Sequence, residues 1–336
     1  MHSGYQTVFP AAGEVALEAA EWGDPGPGEV LLRMRATLIS TGTELTAMSG
    51  DFPPDSAWAR YIRYPHHPGY SAVGEVIAVG EGVEGWRVGQ RAQSWARHAS
   101  HGLVKAAGLL PVPEGVADEE AVFATLAEIA MNGLRRGRVA FGESVVLVGA
   151  GLVGQLALQW CRKAGAWPVI AVDVAERRLE IARESGATQT IAALSQDAVA
   201  EVEALADGGA DVVFEVTGNP RAIPGCLKLA RRLGRVVLLG SPRGPVSVDF
   251  HDDAHSRGLE IIGAHNSTHP RHEQPNTPWT IARHTRLFLD WLAAGEARVE
   301  HLITHRLPGR QAPEAFRMLL ADRSQAMGVV LDWTVD

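Results

Sequence analysis

Gly149, Gly151 and Gly154 stand at the G-x-G-x-x-G spacing, and Asp173 follows them by about twenty residues. Glycines so placed let a chain turn tightly, let its backbone approach a pyrophosphate, and let a helix pack closely on a strand. A helix opening at Leu152 and Val153 adds free N–H groups and the positive end of its dipole, which together hold phosphate. A carboxylate at position 173 accepts hydrogen bonds from both adenosine ribose hydroxyls and repels a 2′-phosphate. The pattern therefore points to a dinucleotide, and to NAD over NADP. Arg177 and Arg178 lie just behind. Either they form a solvated helix face, or they soften that rejection, with Arg178 the candidate cofactor contact.

These residues need particular elements around them. Residues 144–148 form a short apolar run of the kind buried in a parallel sheet. Val153, Leu156, Ala157, Trp160 and Cys161 then repeat at helical spacing. A second apolar run over 169–172 ends at Asp173. Beyond it the pattern predicts helices over 175–185 and 196–206, with strands over 188–191 and 211–216. Cys226, Leu229, Ala230 and Leu233 mark a further helix face, and strands over 235–239 and 259–262 close the series. Six apolar strands with four intervening helices make a doubly wound α/β sheet, a Rossmann unit. Ligands of such sheets lie at the carboxyl ends of the strands. That makes Val216, Thr217, Gly240, Ser241 and Ala264 candidate contacts to ribose and nicotinamide, and His265 a candidate substrate contact. A plainer alternative is that strands need small residues at their exits.

The first 115 residues read differently, with strands over 29–39, 71–79 and 102–105 punctuated by Gly/Pro turns and no dominant helical period. From 118 to 136 the pattern turns helical, and the tail carries helices near 280–294 and 312–321 and a last strand over 328–333. The net charge of −8 argues against nucleic acid or an anionic membrane as main partner. No apolar stretch reaches the roughly 20 residues that span a bilayer. The N-terminus lacks a signal-peptide layout, so a cytoplasmic protein is the default. Cys161 and Cys226, the only cysteines, read as small buried apolar residues. Residues 245–250, PVSVDF, are a candidate exposed edge segment.

A β-rich half, this sheet, and a return segment resemble the medium-chain dehydrogenase/reductase superfamily. The resemblance runs over nearly the whole chain and includes PGEVLLRMRATLISTGTE, PGYSAVGEVIAVGEGVEGWRVGQR, the glycine turn and a closing AMGVVLDW. STGTE and PGYS resemble a branch holding bacteriochlorophyllide and threonine dehydrogenase-like proteins. The resemblance implies a GroES-like catalytic domain over 1–118 and 265–336, a NAD-binding domain over 119–264, and an active site in the cleft. It also implies a homodimer, two copies pairing through 245–250.

The same resemblance exposes a departure. Zinc members carry Cys-Gly-Thr-Asp where this chain has Thr41-Gly42-Thr43-Glu44, and Gly-His-Glu where it has Gly69-Tyr70-Ser71. Their third ligand lies about 25 residues before the first glycine of the turn, which is Ala124 here. Catalytic zinc needs three protein donors and an open position, and these residues do not supply them. Residues 91–111, where structural zinc would sit, contain no cysteine. No metal is expected.

A metal-free carbonyl reaction needs side chains that stabilise an alkoxide and move a proton. The resemblance puts Tyr70 at a ligand position, either as a catalytic hydroxyl or as a packed plug. Thr43 matches the hydroxyl that relays the alcohol proton, although Thr46 replaces the histidine further along that relay. Glu128, one helical turn after Ala124, is either an acid/base beside the nicotinamide or a surface helix glutamate. Thr41, Glu44, Trp95 and His98 join His265 as candidate substrate contacts. Among 13 histidines, clustering of His66, His67, His98, His101, His265 and His269 in loops is unsurprising, and a substitute metal site is the minor reading.

The leading expectation is an NAD(H)-dependent, zinc-independent oxidoreductase that interconverts a secondary alcohol and a ketone on a small, sugar- or cyclitol-like substrate. The alternatives are a zinc-free enone or quinone reductase using NAD(P)H, and a catalytically silent NAD-binding protein.

Overall fold

The structure, a computed structural model, describes residues 1–335. Its backbone divides into two units, one of Met1–Thr125 with Ala282–Asp336 and one of Leu126–Ile281. The divisions fall later along the chain than the 118/119 and 264/265 boundaries read from the sequence. Residues 264–280 stay with the second unit because their side chains grip its first helix. His269 lies against Glu128, and the Trp279 ring lies 3.3 Å below the Arg135 guanidinium.

The second unit is built on a six-stranded sheet ordered Gln189–Ala192, Val169–Asp173, Val145–Val148, Ala210–Glu215, Ala230–Leu238 and Glu260–Gly263. Every neighbouring pair is parallel. Numbered along the chain the order is 3-2-1-4-5-6, that of a dinucleotide-binding sheet. The strands are continuous apolar runs because helices cover both faces, and Val169–Asp173 is buried at every position. Val146, Ile170, Val172, Val213, Leu227 and Val236 form the core, with Cys226 among them. Cys161 and Cys226 are both free and buried.

Two sequence expectations fail in this unit. The helix face drawn through Cys226, Leu229, Ala230 and Leu233 is cut short: the helix is Ile223–Leu229, and Ala230 already pairs with Ala210 in the sheet. The apolar spacing continues through a bulge, where the register jumps between Ala210 and Val212. Leu233 there takes φ +61° and is 72% exposed. Arg231 holds the bulge by a 2.6 Å bond to Asp211, so a salt link, not a buried face, sets its shape. Likewise residues 245–250 form no strand. The sheet edge is Glu260–Gly263, whose Ile261 is exposed. Asp249 turns the 245–250 segment by accepting backbone N–H groups of His251 and Asp252.

The first unit carries a seven-stranded sheet ordered Ile303–Pro308, Gly328–Asp332, Glu29–Ile39, Ala72–Val79, Arg91–Ser94 and Leu110–Pro111, with His101–Lys105 paired to Glu29–Ile39. His2–Val8 and Ala16–Trp22 form a separate hairpin. Glu29–Ile39 matches its predicted bounds because its apolar residues serve cores on both faces. Val30, Leu32 and Met34 pack with Val76 and Ala92, while Ile39 packs with Phe9, Met48, Phe316 and Leu331. Two helices escape the sequence reading, Thr43–Ser49 and Ala57–Tyr61. Both are too short to show a period. The helix expected over 118–136 breaks into Asp118–Ala121 and Ala124–Arg136.

Candidate active site

The glycine turn follows the strand Val145–Val148. Gly149 takes φ +103°, and a Cβ there would meet the Thr217 backbone N at 2.9 Å. A Cβ on Gly154 would lie 2.1 Å from the Gly149 carbonyl oxygen, so that glycine lets helix and turn touch. A Cβ on Gly151 would meet nothing within 4 Å. Gly151 caps the helix Leu152–Lys163, whose Leu152 and Val153 N–H groups open the first turn. The space beside Gly151 and those N–H groups fit a pyrophosphate.

Asp173 ends its strand with 8% exposure. Its Oδ2 accepts the Ala150 N–H at 2.7 Å, and its Oδ1 accepts the Ala175 N–H at 2.9 Å. Gln155 ties the same corner, its Nε2 donating to the carbonyls of Ala150 and Arg178 at 2.9 Å each. Arg177 pairs with Glu180 at 2.8 Å on the solvent side.

Glu215 is the residue the sequence reading missed at the next strand exit. Its Oε1 accepts the N–H of Thr217 at 2.7 Å and of Gly218 at 3.1 Å, and the Thr217 hydroxyl as well. The carboxylate so shapes Val216-Thr217-Gly218, and burial raises its pKa against those donors. Gly240 leaves it room: a Cβ there would stand 2.7 Å from Glu215 Oε2. A lone acid at the end of an apolar run was the available signal. Ser241 follows Gly240, and Ala264 is buried with its N–H on the Leu238 carbonyl. His265 is exposed, its Nδ1 accepting the Ser267 N–H at 3.1 Å in a tight turn.

Glu128 is not a surface glutamate. It is fully buried, with Oε1 accepting Asn266 Nδ2 at 3.2 Å and Oε2 lying 2.6 Å from His269 Nδ1. Burial raises its pKa, and His269 and then Asn266 oppose that rise. Asn266 follows the exit of Glu260–Gly263, so the carboxylate belongs to the ligand end of the sheet.

In the other unit, the Tyr70 hydroxyl lies near the Ser40 and Thr43 side chains, which favour its ionised form. Burial first, and the Glu44 charge second, push its pKa up, so the phenol stays protonated. Its ring centroid lies 6.2 Å from that of Trp95, which is 41% exposed. Glu44 and His98 instead face inward. Glu44 Oε2 lies 2.7 Å from His98 Nε2, Glu44 Oε1 accepts the Ser40 N–H at 3.2 Å, and His98 Nδ1 lies 2.8 Å from Thr37 Oγ1. Trp333 Nε1 donates to that same hydroxyl at 3.0 Å. A proton on His98 Nε2 satisfies the whole chain, with Thr37 donating to Nδ1. Thr41 offers its carbonyl to Arg323 at 3.2 Å, and Ala124 is a buried methyl group.

The positions that the family resemblance marks for zinc ligands therefore offer two hydroxyls and a methyl. Thr41, Tyr70 and Ala124 do not fit a catalytic zinc. Among the described residues no group of three or more His, Cys, Asp or Glu stands where it could hold a metal ion. None of their helices is long and apolar enough to cross a membrane.

Residues 26–129 match the family model of the alcohol dehydrogenase GroES-like domain, and residues 153–279 that of zinc-binding dehydrogenases. The chain is 31% identical over 333 residues to an L-threonine 3-dehydrogenase of Pyrococcus furiosus, covering 89% of this chain and 90% of that protein. A short chain alcohol dehydrogenase of E. coli CFT073, complexed with NADH, has the same fold, with TM-score 0.82, 23% identity, and 98% and 99% of the two chains covered. A putative zinc-binding dehydrogenase of Sinorhizobium meliloti 1021 bound to NADP does too, with TM-score 0.81, 21% identity, and coverage of 99% and 100%. With its GroES-like and Rossmann units, its glycine turn and this relative, the chain belongs to the medium-chain dehydrogenase/reductase superfamily.

Proposed function

We propose that this protein is an NAD(H)-dependent oxidoreductase that interconverts a secondary alcohol and a ketone without a catalytic zinc. The observation that carries the reading is the Asp173 carboxylate, held at its strand end beside an open glycine turn. A fixed negative charge there favours two ribose hydroxyls over a 2′-phosphate. The NADP in the Sinorhizobium meliloti protein is a property of that protein. NAD, when bound, supplies the hydride acceptor at its nicotinamide.

The chain's own groups handle the proton and the oxygen. Glu128 is the acid/base: as an alcohol is oxidised, its carboxylate takes the O–H proton while the C–H electron pair leaves as hydride. Tyr70, protonated and near Thr43 and Ser40, donates a hydrogen bond to the oxygen as charge develops. Trp95 and His265, both exposed, are candidate substrate contacts, each within its own unit. The substrate is a small hydroxylated molecule, a class that includes the L-threonine of the relative's name.

The test is NAD and NADP reduction over L-threonine, 2,3-butanediol, polyols and cyclitols, beside NADH and NADPH oxidation with enones and quinones, before and after exhaustive chelation. NAD-dependent turnover of a secondary alcohol, with no bound zinc by elemental analysis and no loss on chelation, is the expected result. Chelation that abolishes turnover, reversed by zinc, overturns the metal-free reading. Turnover confined to enones or quinones favours the reductase alternative, and tight NAD binding with silence on every substrate favours a sensor.

A further inference from the structure

We infer that His269 is the positioning residue of this site: its imidazole orients the Glu128 carboxylate and keeps it able to accept a proton. The inference rests on the acid/base role given to Glu128 above. It is drawn from the 2.6 Å approach of Nδ1 to Oε2 and from the complete burial of both side chains.

A carboxylate removed from water is costly in its ionised form unless it is paired and hydrogen-bonded. Left alone, burial would favour the protonated form of Glu128. Two groups oppose that. Asn266 donates to Oε1, which fixes one oxygen but adds no charge. His269 Nδ1 stands 2.6 Å from Oε2, close enough for the imidazole to favour the ionised form. His269 is the titratable side chain that lies against Glu128. With Asn266 bonded to one oxygen and His269 against the other, the carboxylate is held in place to take the proton that a substrate hydroxyl gives up.

The backbone around His269 is prepared for this. The His269 N–H donates to the Asn266 carbonyl at 3.0 Å, closing the turn Asn266–Thr268 that links the two partners of Glu128. Further along, the Ile281 N–H donates to the Pro270 carbonyl at 2.9 Å, and Trp279 lies on Arg135 of the helix that carries Glu128. The segment is thus clamped on both sides of the imidazole.

The experiment compares kcat and its pH profile in wild type, His269→Leu, His269→Asn and Glu128→Gln, using the best alcohol from the substrate panel and thermal melts to confirm folding. Asparagine places an N–H near the position of Nδ1, so it restores a donor there without the imidazole. In His269→Leu the ascending limb of the profile is expected to move up by about one pH unit, which lowers kcat about tenfold near neutrality and lets it recover at higher pH. His269→Asn is expected to regain most of the loss, with KM near that of wild type. A packing role alone would lower the melt without moving the limb. If folded His269→Leu and His269→Asn both keep the wild-type profile while Glu128→Gln is inactive, the positioning role is overturned and the role of Glu128 stands. If Glu128→Gln is as active as wild type, the acid/base reading fails and this inference with it.

Discussion

The Asp173 carboxylate accepts the backbone N–H of Ala150 at 2.7 Å, across a gap of 23 residues, and so ties the end of one strand to the glycine turn after its neighbour. In the proposed function, this one side chain both shapes the turn and selects the cofactor. Replacing it with glycine is expected to raise KM for NAD by about tenfold and to narrow the NAD-to-NADP preference, since two charge-assisted bonds and a phosphate-repelling charge go together. Steady-state kinetics with both cofactors check this.

Gly151 and Gly154 separate cofactor approach from packing. A methyl group at 151 meets nothing within 4 Å, whereas one at 154 falls 2.1 Å from the Gly149 carbonyl oxygen. Gly151→Ala is expected to melt within about 0.5 kcal/mol of wild type yet bind NAD more weakly. Gly154→Ala is expected to lose about 1–3 kcal/mol by overpacking. Urea denaturation and NAD titration, run on both variants, resolve the two.

Tyr70→Phe removes the hydroxyl near Ser40 and Thr43 but leaves the ring. If that hydroxyl stabilises the developing oxyanion, kcat falls by about 10²-fold while the cofactor still binds. Because the folded pKa is raised, the tyrosine's contribution to stability is full below its ordinary value near 10 and fades as pH climbs through the raised one. Alkaline unfolding of Tyr70→Phe is therefore expected to begin at higher pH than in wild type. Unchanged kcat would identify Tyr70 as a plug.

Glu44 and His98 form a buried pair that holds the Ser40 backbone beside Tyr70. Breaking one side strands the other. His98→Leu is expected to destabilise by about 3–5 kcal/mol, and Glu44→Gln/His98→Leu by less than the sum of the single changes. A double-mutant cycle by chemical denaturation measures the coupling.

The first helix of the nucleotide sheet, Leu152–Lys163, was legible because apolar period, glycine spacing and terminal acid all agreed. The strands were legible for the same reason, being apolar runs between turn signals. Leu233 misled because an apolar residue at the right interval is indistinguishable from a helix face until the bulge places it in solvent. Glu44 and His98 are candidate substrate contacts in the sequence, yet the fold turns both inward. Nothing local distinguishes a polar side chain turned inward from one turned outward when its partner lies 54 residues away.

By itself the sequence determined the two-unit architecture, the dinucleotide turn with Asp173, and the lack of cysteine or histidine at the zinc positions. These are matters of residue type and short-range spacing, which the chain carries wherever it folds. Tertiary structure alone decided that Glu128 is buried against His269 and Asn266, that Glu215 caps the next strand exit, and that His98 serves Glu44. Each of these joins residues from separate elements, and the protonation of a buried carboxylate depends on the groups that the fold sets around it.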